Sequence, residues 1–202
     1  MGWTTACLII NEGPPGYFAN FPLPSQSRAR KILVDQLGEH YGQSKFSNLD
    51  RALSPPSGWF GFGAYDKGII LAGHKDLFGY VENPRGTLVS SLLRSFASGE
   101  ALLFELTSST GYFGFAFYVE GKLLRALAAD PERGVIVDTS NLREPIQGLE
   151  EQAMANKNPA SKGETVIFGL TQRFLGSPLD QFQGERLSIE LIKKRPRILS
   201  WL

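Results

Sequence analysis

Cysteine, histidine and net charge are all scarce in this chain, and each scarcity removes a class of function. Its 202 residues hold one cysteine, Cys7, and two histidines, His40 and His74. A lone thiol cannot close an intramolecular disulfide, which fits a reducing, cytoplasmic compartment. It lies in the apolar run 6–10, which reads as a buried strand where a thiol is inert. One cysteine and two histidines cannot build a standard structural zinc site, so no metal is expected. Twenty-one basic residues against twenty acidic ones leave a formal charge of +1. A dedicated nucleic-acid binder carries a clear basic excess, which this chain lacks. No apolar run approaches the length of a membrane span. The opening residues 1–5 lack the basic region of a signal peptide, and Ala6 stands where N-myristoylation wants Ser or Thr.

Cofactor and nucleophile motifs are missing too, and no cofactor is expected. Gly61-Phe62-Gly63 begins like a dinucleotide fingerprint, but Asp66 stands at the third glycine position and the run lies inside a strand pattern. Lys162-Gly163-Glu164-Thr165 has no upstream glycine at P-loop spacing. There is no Gly-x-Ser-x-Gly elbow.

What the chain does have is glycine and aromatic residues in strand-like patterns, with 22 Gly, 14 Phe and 6 Tyr. A hydrophobic fraction of 42% suits a globular core. The patterns predict an α+β fold, a mostly antiparallel sheet with helices packed on one face. Strands are expected at 3–11, 46–53, 101–107, 134–138 and 187–191. A helix at 26–37 takes Ser25 or Ser27 as N-cap and Gly38 as its stop. A second follows Asn83-Pro84, with Leu88, Leu92, Leu93 and Phe96 as its apolar stripe. A third begins at a capping box, Ser161 and Glu164, and ends near Gly176. Residues 139–163 read as a loop or linker with a short helix near 149–154. The predicted organisation is a core at 1–138, this linker, and a C-terminal helix, strand and basic tail at 164–202 packed on the core.

Two aromatic hairpins stand out, at 59–73 and 112–127. At an offset of 53 they agree at Phe60/Phe113, Gly61/Gly114, Phe62/Phe115, Tyr65/Tyr118, Gly68/Gly121 and Leu71/Leu124. Each follows a helix and a strand, so units at about 25–73 and 83–129 form a candidate internal repeat. Two aromatic hairpins built on period-2 patterning and a glycine turn would share the same features without duplication.

The run Phe113-Gly114-Phe115-Ala116-Phe117-Tyr118 resembles the aromatic strand of RNA-recognition motifs. Alternation instead puts Phe113, Phe115 and Phe117 on one covered face, with Tyr112 and Tyr118 on the other. Tyr112, Tyr118 and Arg125 are the candidate binding-surface residues. His74, two residues from Asp76, has the spacing of a base and its orienter. Glu105 lies among apolar neighbours, with Arg125 as its expected partner; a perturbed carboxylate in a cleft is a site candidate.

The stretch 115–127, followed by Asp130-Pro131 and Gly134-Val135-Ile136, resembles a bacterial family of uncharacterised proteins that share a domain of unknown function. The resemblance spans about residues 59–138 and implies a prokaryotic, cytoplasmic setting without supplying an active site. The leading expectation is a non-enzymatic binding or regulatory module whose partner is a protein or a small ligand. Its rivals are a small hydrolase-like enzyme using His74, Asp76 and Glu105, and a single-stranded nucleic-acid binder using an aromatic sheet face.

Overall fold

The computed structural model describes residues 3–37, 41–85, 87–96, 98–140, 147–155 and 159–194. Nine strands form one sheet in which every pairing is antiparallel. In chain order they are β1 (Thr4–Asn11), β2 (Tyr41–Asn48), β3 (Trp59–Tyr65), β4 (Gly68–Ala72), β5 (Glu100–Thr107), β6 (Tyr112–Val119), β7 (Lys122–Asp130), β8 (Gly134–Ser140) and β9 (Ser188–Lys194). Their spatial order is β2-β9-β3-β4-β1-β5-β6-β7-β8. The helices are α1 (Gln26–Leu37), α2 (Leu49–Leu53), α3 (Thr87–Ser95), α4 (Gln147–Ala155) and α5 (Pro159–Leu175). The α+β fold with an antiparallel sheet is therefore established. None of the described helices is long and apolar enough to cross a membrane.

Helices cover both faces of the sheet, not one. The reason lies in β1, the central strand, which is apolar in both phases of its pleat. Cys7 and Ile9 face a layer completed by α2 and α5 through Leu49, Leu53, Ile167, Leu170 and Phe174. Ala6, Leu8 and Ile10 face a second layer completed by α1 and α3 through Ala29, Leu33, Leu88 and Leu92. A sheet apolar on both sides needs a cover on both sides, as strands buried twice over generally do.

Several boundaries shift for local reasons. Ser25 caps α1 as expected, its hydroxyl accepting the Arg28 N–H at 3.3 Å. The strand expected at 46–53 is β2 followed by a helical turn, because the Asn48 side chain accepts the Arg51 N–H at 3.1 Å and starts α2. Asn83 does not cap α3; its own N–H donates to the Gly79 carbonyl, and the helix opens at Thr87. The expected linker 139–163 holds the end of β8, all of α4 and the first turn of α5. Since α5 opens at Pro159, Glu164 lies inside it and accepts the Ser108 hydroxyl at 2.6 Å. The helix does end at Gly176, whose N–H closes on Gln172. The C-terminal strand is more than a segment packed on the core: β9 is inserted between β2 and β3. Gly38, His40 and the basic tail beyond residue 194 lie outside the described residues.

The internal repeat is not shown. Phe60 and Phe62 point into the α1–α3 layer, while their sequence matches Phe113 and Phe115 point into the α5 layer. The two turns also differ. Glu120 and Gly121 make the β6–β7 turn with φ of 50° and 71°, the left-handed pair that a tight hairpin prefers. Gly68, its supposed counterpart, pairs with Tyr65 as the first residue of β4. The shared pattern is that of hairpins in general.

Candidate functional site

The ends of β5 and β7 and the starts of β6 and β8 meet at one end of the sheet. Two adjacent turns lie there, 107–112 and 130–134, and the segment that follows β4 closes over them. Between them is a cleft of about 590 Å³ lined by Gly79, Glu82, Glu105, Thr107, Ser109, Thr110, Tyr112, Asp130, Pro131, Glu132 and Arg133.

Asp130 organises one wall. Its Oδ1 accepts the backbone N–H groups of Glu132 (2.9 Å) and Arg133 (2.6 Å), the self-made turn that an aspartate side chain favours. Its Oδ2 accepts the Arg133 Nε–H at 2.6 Å. Arg133 then reaches the opposite wall, donating from Nη1 and Nη2 to the two oxygens of Glu82 at 3.1 and 3.2 Å. The backbone and side-chain donors of Arg133 hold the Asp130 carboxyl below its ordinary range. Glu82 first, and Asp130 next, hold the guanidinium proton more tightly than usual.

Glu105 and Tyr112 form the floor. Glu105 is 8% exposed. Gly79, whose φ of 70° calls for glycine, turns its N–H onto Glu105 Oε2 at 2.7 Å. Burial raises the Glu105 pKa, against the pull of that hydrogen bond, and the Glu82 charge adds to the rise. Oε1 takes no hydrogen bond from the described residues. Tyr112 is also 8% exposed, and its hydroxyl makes no close hydrogen bond, with the Glu82 carboxylate in longer reach. Burial, then the charges of Glu105 and Glu82 and the pull of the Glu82 carboxylate on its proton, push its pKa up and keep the phenol protonated.

The other sequence candidates lie elsewhere. His74 and Asp76 do come together, with Nδ1 and Oδ1 4.0 Å apart. They are not in the base–orienter arrangement, because Nδ1 accepts the Asp76 backbone N–H (3.2 Å) and has no proton to give the carboxylate. The imidazole is buried edge-on against Phe60, their ring centres 4.9 Å apart, and caps a short 3₁₀ turn. Neither residue lines the cleft that holds Glu105. Arg125 does not pair with Glu105 as expected. The strand alternation puts it on the opposite sheet face, where Nη1 donates to Asp138 and to the carbonyls of Ala126 and Thr139. Tyr118 is half-buried against the α1–α3 layer, so the open aromatic platform of the nucleic-acid reading is not formed by Tyr112 and Tyr118.

Of the expected residues, Glu105 and Tyr112 are thus brought together. Gly79, Glu82, Asp130 and Arg133 were not foreseen. The run Asp130-Pro131-Glu132-Arg133-Gly134 carries a turn signal, but nothing in it names Glu82 as the partner. A second, smaller cleft of about 240 Å³ lies beside Asn11, Gly99 and Glu120. Two of its three carboxylates are already engaged, Glu12 with Arg28 and Ser98, and Glu100 with Arg173. Among the described residues, no group of three or more histidine, cysteine or carboxylate side chains could hold a metal ion.

Neither the curated proteins nor the solved structures yield a match to the chain. One family does match, over residues 4–142, a span that contains every residue of the larger cleft but stops short of α4, α5 and β9. With more than half its length so matched, the chain belongs to DUF6928, a family of unknown function.

Proposed function

We propose that this chain is a non-enzymatic binding module whose ligand site is the cleft floored by Glu105 and Tyr112. The observation that carries the reading is the hydroxyl of Tyr112, buried in the cleft floor without a close hydrogen bond and with only the Glu82 carboxylate in longer reach. Leaving such a group unsatisfied costs about 1–3 kcal/mol, and folded proteins rarely do so. A ligand atom reaching the floor removes that cost. The volume, about 590 Å³, falls within the range of small-molecule sites, roughly 300–1,000 Å³. A reducing, bacterial cytoplasm belongs to the same proposal, supported by the lone, buried Cys7 and by the sequence resemblance. The hydrolytic reading through His74 gains no support, since its imidazole is turned to its own loop and packed on Phe60.

The test is a thermal-shift screen of the whole chain against small polar compounds of cationic, neutral and anionic classes. Hits are repeated on Tyr112→Phe and followed by NMR of the compound itself. The expected result is a saturable hit, weakened in Tyr112→Phe, whose compound remains chemically unchanged. Turnover of the compound would replace the binding reading with an enzymatic one. A panel without hits, or hits indifferent to Tyr112→Phe, would remove the cleft as the site.

A further inference from the structure

We infer that the ligand of this cleft is a small aliphatic ammonium compound, seated between Glu105 Oε1 and the Tyr112 hydroxyl beneath Glu82. The inference rests on the binding reading of the same cleft and adds the chemical class. Four carboxylates, Glu82, Glu105, Asp130 and Glu132, line it against one guanidinium, that of Arg133. That guanidinium is already engaged at Nε, Nη1 and Nη2 by Asp130 and Glu82, so an incoming anion meets no uncommitted cation.

The acceptors, in contrast, are available at the floor. Glu105 gives Oε2 to Gly79 and retains Oε1. The Tyr112 hydroxyl, on a residue 92% buried, turns its proton toward Glu82 and retains both phenol lone pairs. An ammonium group carries three donors and no acceptor, the complement of this arrangement. The carboxylates do not converge as metal ligands, so a compact divalent ion fits less well than an organic cation. The ring of Tyr112 and Pro131 offer apolar surface to a short methylene chain.

The experiment is calorimetry and amide NMR on the full chain with three probes of equal length: 1,4-diaminobutane, 1,4-butanediol and succinate. Saturable binding of the diamine is expected, with the Gly79 and Tyr112 amide signals moving. Its affinity should fall at least about tenfold in Glu105→Gln, the scale of one lost charge-assisted hydrogen bond. Signal dispersion of each variant checks that it is folded. Succinate or butanediol moving those signals in the diamine's place would overturn the cationic assignment and leave the cleft as a binding site. Diamine shifts scattered over the acidic surface, or an affinity unchanged in Glu105→Gln, would overturn it as well. If no probe moves Gly79 or Tyr112 and the broader screen is also empty, both readings fail.

Discussion

Tyr112 folds back across its own strand onto Gly114, its hydroxyl 3.0 Å from the point a β-carbon on Gly114 would occupy. The absent side chain is what leaves room for the phenol oxygen over Gly114. Gly114→Ala would press on that hydroxyl, while Val81 and Ala128 stay at ordinary contact of 3.5 Å. The expected loss is about 1 kcal/mol, at the lower end for an overfilled core position. Tyr112→Phe alone should be neutral or slightly stabilising, because it removes a buried hydroxyl that makes no close hydrogen bond. The double variant should recover part of the Gly114→Ala loss, giving a coupling of about 0.5 kcal/mol or more in urea denaturation. Strict additivity would mean that the two groups do not press on each other.

The aromatic strand was legible because period-2 alternation is a local rule: Phe113, Phe115 and Phe117 share one covered face, as their spacing requires. The Ser25 cap and the Gly176 stop were legible for the same reason. The cleft was not. Glu82 and Arg133 stand 51 residues apart and meet only because two turns share one end of the sheet. The place of β9 between β2 and β3 is likewise a long-range fact that no window of sequence contains. The repeat is not shown, and its matched glycines, one in β4 and one in the β6–β7 turn, answer to different constraints.

Gly163 offers a harsher steric test than Gly114. A β-carbon there would lie 2.4 Å from Cγ of Phe113, at the root of a ring buried beneath α5. The root of a packed ring cannot swing aside as a flexible tip can. Gly163→Ala should therefore cost about 3 kcal/mol, more than Gly114→Ala, even though alanine is the better helix former. Pairing it with Phe113→Ala should return much of the loss, read as a rise in the denaturation midpoint relative to Phe113→Ala acting additively. A stable Gly163→Ala would show that α5 can lift from β6 without penalty.

Glu105 predicts a pH dependence whose sign follows from its environment. Burial, with the Glu82 charge, raises its pKa above the ordinary 4.5, outweighing the Gly79 hydrogen bond. The folded state then holds the proton more tightly than the unfolded chain. The stabilisation from this group is full below the unfolded pKa and is lost as pH rises through the folded one. Glu105→Gln keeps an acceptor for Gly79 and carries no charge. The variant should match the wild type at about pH 4 and exceed it at about pH 7, the gap opening through the raised pKa. Denaturation curves at several pH values read this directly, and a gap that stays constant with pH would contradict the burial argument.

Asp130 and Arg133 share an ion pair but should not share a mutational cost. The Arg133 side chain is 54% exposed, and pairs of that kind contribute about 0–1 kcal/mol. Arg133→Ala should accordingly change global stability little, while releasing Glu82 from the far wall and loosening the 79–83 segment. Asp130 does more, since its Oδ1 also accepts the N–H groups of Glu132 and Arg133 and so shapes the turn itself. Asp130→Ala should therefore speed amide exchange at Glu132 and Arg133 and lower the denaturation midpoint further than Arg133→Ala does. Asp130→Asn keeps the Oδ1 acceptor and should restore the turn without restoring the charge pair. Equal exchange in Asp130→Ala and Asp130→Asn would assign the turn to the ion pair, against the hydrogen-bond account.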